Sequence, residues 1–228
     1  MSNHIRFTLT WRILHILLFV SLIVLGLTGF ALKYSDTSVG SYLIQLEGGI
    51  ETRGLLHRIS AIILMGAVCW HILYILFSKE GHRDFMKLLP ARKDIHDFAQ
   101  SIKNVFSKEE VAVHYDKYSY WQKVQFWVVA LGTITMIATG LILWFETASM
   151  TILPKFVMDI VFVLHSDEAL LIMLIIFIWH LYIVHLRPGS FPMDRVWLSG
   201  TMTVDELKKK HYSYYQELIN NHELDDEK

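Results

Sequence analysis

Five of the twelve histidines in this 228-residue chain, His15, His57, His71, His165 and His180, lie in apolar surroundings. An imidazole among hydrocarbon groups needs a partner: a hydrogen bond across helices, a proton relay or a metal ion. Five in one chain favour a shared task, and neutral imidazole is the commonest metal ligand. Spacing separates them in depth. At about 1.5 Å of helix rise per residue, His71 lies roughly 21 Å beyond His57 and His180 roughly 22 Å beyond His165. His4, His82, His96, His114, His211 and His222 fall in polar stretches, where solvent exposure is expected, and His185 is expected at an interface. The single cysteine, Cys69, excludes a disulfide framework, a thiolate zinc site, a thiolate iron–sulfur cluster and a thioether-linked haem.

The elements that must hold these histidines are long and apolar. The chain is 53% hydrophobic and 19% charged, too apolar for an ordinary soluble domain. Four runs of bilayer length, 9–32, 55–77, 124–145 and 164–186, predict transmembrane helices, because an open sheet edge cannot be satisfied in lipid. The first run is too long for a secretory signal and no small-x-small cleavage site follows it, so it is expected to be retained. Seventeen Lys and Arg lie in 1–12, 78–123 and the tail from Arg187; three lie in 33–54 and 146–163. That asymmetry places both termini in the cytoplasm. The predicted fold is an all-α membrane protein: a four-helix transmembrane bundle over 1–187 with a cytoplasmic loop 78–123. A cytoplasmic tail, 188–228, is predicted to be helical from about 204 behind a Thr203 or Asp205 cap. The loop carries amphipathic spacing at Phe85, Met86, Leu88 and Leu89 and again at Ile95, Phe98 and Ile102. It fits a helix on the membrane surface or a solvated loop with one helix. A net charge of −1 gives no basis for binding nucleic acid.

With that orientation the histidines form two levels. His57 and His165 share the outer level; His15, His71 and His180 share the inner one. Two levels of imidazoles on facing helices suit two bis-histidine haems stacked across the bilayer, since haem iron takes nitrogen ligands from opposite faces. A porphyrin between helices also needs side chains out of its path. Gly26 and Gly29 lie within about 40° of the His15 face, near the outer level. Arg12, one turn before His15, and Arg58, with Arg53, beside His57 are placed to meet anionic propionates; snorkelling to the interface is the other role for each. Asp36, Glu47, Glu51, Asp159, Asp167 and Glu168 flank the outer side, to solvate the loops or dock a partner.

Six stretches carry a resemblance: Trp11-Arg-Ile-Leu-His15, Arg53-Gly-Leu-Leu-His57, Lys117-Tyr-Ser-Tyr-Trp-Gln-Lys123 with Phe126-Trp127, Thr139-Gly-Leu-Ile-Leu-Trp144, Val163-Leu-His165 and His180-Leu-Tyr182. In order and spacing the chain resembles the dihaem cytochrome b (gamma) subunits of respiratory formate dehydrogenases and nickel–iron uptake hydrogenases. The resemblance implies a multi-pass anchor in the bacterial cytoplasmic (inner) membrane. Such a subunit passes electrons through two b haems between an extracytoplasmic partner, an iron–sulfur or multihaem cytochrome c subunit, and menaquinone. It implies His57 and His165 as ligands of the outer haem iron, His15 and His180 of the inner, and a quinone site near His180, Tyr118 and Gln122. The family spaces its two fourth-helix histidines by fourteen residues; here the interval is fifteen. Fifteen overshoots four turns by about 60°, and a π-bulge would absorb the extra residue. His71 is additional to the formate dehydrogenase pattern and is a candidate ligand in place of His15 or His180. Ser119 stands where that pattern has asparagine, and 185–194 looks more like relatives coupled to multihaem cytochromes c.

Two other function classes share the pattern. A stand-alone cytochrome b561-type oxidoreductase would use the same histidines without an external subunit. A non-redox transporter would use them as proton relays. A histidine-box di-iron enzyme needs dense HxxxH or HxxHH clusters, which the chain lacks.

Overall fold

A computed structural model describes residues 3–107, 111–187 and 190–224. Among the described residues four helices are long and apolar enough to cross a membrane: α1 (Leu9–Lys33), α3 (Ile50–Phe77), α6 (Tyr120–Trp144) and the composite span Lys155–Leu186. The last begins as α8 (Lys155–Leu174) and continues as π-helix over Ile175–His180 and Tyr182–Leu186. Three of the four expected runs lie within a span, and the third, 124–145, runs one residue past the end of α6 at Trp144. The spans α3 and α8 begin earlier than their apolar runs because polar residues at a helix end, such as Glu51 and Lys155, satisfy their side chains outside the hydrocarbon. Burial along the spans is reversed relative to a soluble core. Phe19, Ile62, Trp70, Ile134 and Ile178 are exposed, whereas Ser21, Thr28, Ser60, Thr133 and Thr139 are buried. Small residues let helix backbones approach, and hydrocarbon covers the large apolar ones.

The chain divides into two compact units. One comprises Thr10–Ile72 and Val129–Asp194 and holds all five apolar histidines. Its connections contain two short helices beyond those expected, α2 (Ser38–Leu46) and α7 (Glu146–Met150). Thr37 caps α2, its Oγ1 accepting from the Gly40 N–H at 3.1 Å. Glycine is required at 40, because a Cβ there would stand 1.9 Å from the Tyr34 carbonyl oxygen.

The other unit gathers Met1–Leu9, Leu73–Val128 and Arg195–Lys228. The expected boundary at 187/188 cuts the chain once, whereas this unit is assembled from three stretches. β1 (Asn3–Ile5) pairs antiparallel with β2 (Thr201–Thr203), joining the beginning of the chain to the tail. The loop forms two helices, α4 (Lys79–Leu88) and α5 (Arg92–Phe106), rather than one. The tail folds as α9 (Val196–Ser199), α10 (Val204–Lys210) and α11 (Tyr212–Asn220), with Thr203 and Glu206 forming a reciprocal cap. Its core is Val196, Met202, Leu207, Tyr214, Tyr215 and Leu218. Beside it Lys117 Nζ meets Asp84 Oδ1 at 2.6 Å, with both side chains buried. Arg6 donates to the Lys117 carbonyl at 2.6 Å, and Lys87 Nζ bonds Glu217 at 2.5 Å.

That packing corrects two expectations of exposure. His211 is buried, its Nδ1 2.6 Å from the Asp116 carbonyl oxygen, and His4 is half-buried against the Tyr214 ring. His4 sits where the tail meets the first residues, and His211 where the tail meets the segment that precedes α6. His82, His96, His114 and His222 are exposed. Within 185–194, residues 188–189 lie outside the described residues, as does the tail beyond 224; the His185 Nδ1 lies 3.3 Å from the Pro192 carbonyl oxygen.

Candidate cofactor site

The histidines meet as two pairs across helices. His57 on α3 faces His165 on α8, with ring centroids 6.5 Å apart and planes at 67°. His15 on α1 faces His180 in the π-helical stretch, with centroids 6.2 Å apart and planes at 47°. All four rings are half-buried. Two imidazoles binding one metal ion from opposite sides, at metal–nitrogen distances of about 2 Å, place their centroids roughly 6 Å apart. Both pairs have that separation, and in each the partners come from different helices. The donor set is nitrogen only. Both observations fit bis-histidine haem.

The π-helical turns bring the second pair together. Over fifteen residues an ideal α-helix would leave His180 about 60° away from the face His165 occupies. The wider turn over Ile175–His180 advances each residue by a smaller angle and returns His180 toward that face.

The Nδ1 of His57 lies 2.8 Å from Thr28 Oγ1, and the Nδ1 of His165 lies 2.9 Å from Thr139 Oγ1. Each hydroxyl donates to the carbonyl four residues back, Val24 and Thr135, at 2.7 Å. An Arg53 N–H donates to the Thr28 carbonyl at 2.7 Å, tying α3 to α1 beside His57. Lys33 Nζ bonds Asp167 at 2.5 Å and so ties α1 to α8. Asp167, one of the acidic residues expected to solvate a loop or dock a partner, is thus part of an ion pair.

The remaining expected residues are placed as follows. A Cβ on Gly29 would sit 3.7 Å from His57 Cε1, so Gly29 faces that ring. Gly26 is packed by Met173, whose methyl carbon would stand 2.9 Å from a Cβ. His71 belongs to neither pair; its ring meets the Trp11 indole edge-on at 4.8 Å. The Arg58 guanidinium lies over the Trp144 ring at 5.4 Å, and Arg12 is half-buried on α1. In the other unit, Tyr118 is buried, and burial with the Asp84 carboxylate raises its phenol well above the ordinary value. The Gln122 Oε1 accepts from the Ser119 N–H at 2.9 Å, closing the first turn of α6. Sequence reasoning missed Thr28 and missed Thr139 and Gly140 as neighbours of a histidine. The available signal was the dipeptide Thr-Gly, which occurs at 28–29 and 139–140 and nowhere else in the chain.

Comparison with known proteins points the same way. A family model described as prokaryotic cytochrome b561 matches residues 6–189. The formate dehydrogenase cytochrome b556 subunit of Haemophilus influenzae is 27% identical over 210 residues, covering 91% of this chain and 80% of that protein. The formate dehydrogenase cytochrome b556(fdo) subunit of Escherichia coli K12 is 23% identical over 217 residues, covering 94% of this chain and 92% of that protein.

Proposed function

The chain belongs to the prokaryotic cytochrome b561 family, a membership that implies haem b, and on that premise we propose that it is a dihaem membrane anchor of a respiratory oxidoreductase. In this reading it links an extracytoplasmic redox partner to menaquinone in the bacterial inner membrane; the names of its formate dehydrogenase relatives support the oxidoreductase subunit, and the histidine pairs support the two haems. The carrying observation is the pair of cross-helix imidazole couples, with centroids 6.5 and 6.2 Å apart, separated along α8 and its continuation by about 20 Å.

His57 and His165 would hold one haem and His15 and His180 the other, the first pair toward the outside given the loop charges. Bound haem supplies reversible one-electron transfer. The residues' work is to present neutral nitrogen donors on opposite sides of a slot and to keep them fixed. Exposed apolar side chains along the same helices, Phe19, Ile62 and Ile178 among them, put the slot in hydrocarbon, away from water. His71, edge-on to Trp11, takes no ligand role in this assignment. Toward menaquinone, Tyr118 offers a hydroxyl that stays protonated throughout the physiological range, while Gln122 is engaged in capping α6. The catalytic and iron–sulfur subunits of a formate dehydrogenase are the partner class the relatives' names support.

The test is haem counting. Pyridine haemochrome spectra of the purified chain should give about two b haems. His57→Ala and His165→Ala should each remove the same haem, and His15→Ala and His180→Ala the other. Loss of neither haem in any of the four, or loss of one on His71→Ala, would defeat the assignment. Co-purification of an external redox subunit separates the anchor from a stand-alone oxidoreductase.

A further inference from the structure

We propose that the two Thr-Gly pairs, Thr28-Gly29 on α1 and Thr139-Gly140 on α6, are positioning residues. They hold His57 and His165 as Nδ1–H tautomers, with the Nε2 lone pairs turned toward the iron. The inference rests on the assignment of these two imidazoles as haem ligands and goes beyond it to what orients them.

A threonine hydroxyl has one proton. In both threonines it is directed to a backbone carbonyl, that of Val24 for Thr28 and of Thr135 for Thr139, each at 2.7 Å. What Oγ1 then presents to the imidazole is a lone pair, 2.8 Å from His57 Nδ1 and 2.9 Å from His165 Nδ1. With the hydroxyl proton committed to a carbonyl, Nδ1 is the donor of that contact, and a neutral ring that donates from Nδ1 carries its lone pair on Nε2. Thr28 is 1% exposed and Thr139 5%, so water does not compete for the bond. Arg53 fixes the first threonine further through its carbonyl.

The glycine that follows each threonine lets the ring lie against the helix. A Cβ on Gly140 would stand 3.1 Å from His165 Cε1, closer than most carbon contacts, and one on Gly29 would stand 3.7 Å from His57 Cε1. The device occurs twice, α1 holding the histidine of α3 and α6 holding that of α8. A donated Nδ1–H also makes the imidazole a more basic ligand, which favours ferric iron and lowers the reduction potential.

The experiment uses the full chain, purified with whatever subunits accompany it, and Thr28→Val and Thr139→Val, which remove the acceptor while keeping the branched shape. Redox titration followed optically and by electron paramagnetic resonance resolves each haem. Both variants should raise the potential of the same one of the two haems and shift its low-spin signal. They should also weaken its retention by about tenfold or more, with the second haem unchanged. Thr28→Ser and Thr139→Ser should restore the wild-type values, and Gly140→Ala should disturb the same haem. Valine variants with both haems at wild-type potentials and signals would overturn the proposal, and so would an equal shift of both. A wild-type chain without two b haems would overturn the ligand assignment itself, before any threonine variant is compared.

Discussion

On the proposed ligand assignment, deleting Ile178 from the π-helical turn should leave both haem sites intact, whereas adding one residue earlier in the same helix should destroy one. The interval His165 to His180 is fifteen residues. At about 100° per residue an α-helix would carry His180 roughly 60° past the face of His165. The π-helical stretch Ile175–His180 absorbs that excess. Without Ile178 the interval is fourteen, an ordinary α-helix falls about 40° short of four turns, and the extra residue no longer needs accommodating. Ile178 is 68% exposed, so its removal takes no side chain from between the helices. An alanine inserted after Leu171 makes the interval sixteen and, with the π-helical stretch kept, turns His180 by about 100° away from the face it shares with His165. Pyridine haemochrome content per chain is the assay. The deletion should retain about two haems and the insertion about one. A deletion variant with one haem beside an insertion variant with two would refute the register argument.

Two further outcomes follow from packing. Asp84→Ala leaves the Lys117 ammonium buried without its carboxylate, a loss of about 3–5 kcal/mol. At 1.4 kcal/mol per factor of ten, amide exchange in α11, measured by mass spectrometry, should accelerate by roughly two to four orders of magnitude. Burial already holds Lys117 below its ordinary 10.5 despite Asp84. Removal of Asp84 lowers it further, so between that lowered value and 10.5 the unfolded chain binds the extra proton, and the variant should regain stability as pH rises across that window. An exchange difference that is flat with pH would contradict this. Gly40→Ala places a methyl 1.9 Å from the Tyr34 carbonyl oxygen. It should lower stability by at least about 1–3 kcal/mol; an unchanged melting temperature in detergent would show that α2 can shift freely.

The spans were legible because apolar runs of bilayer length have few alternatives. Their ends were less so, since the first turns of α3 and α8 are polar and still helical. Depth alone grouped His57 with His165, because helix rise is nearly constant. Depth could not choose among His15, His71 and His180, which share a level. That choice depends on how each helix is rotated. In the fold His15 faces His180, and His71 turns to Trp11. The fifteen-residue interval pointed to a π-bulge, and the structure has π-helix there.

The sequence by itself determined what periodicity, length and charge control: four apolar helices, the depth of each imidazole, and the family pattern that their order carries. Only the tertiary structure decided which groups touch. It placed Thr28 and Thr139 on Nδ1 atoms of other helices, and built one compact unit from three separate stretches around Asp84 and Lys117. Helix rise is set locally by backbone hydrogen bonds, whereas helix rotation and long-range pairing are set by the packing of the whole chain.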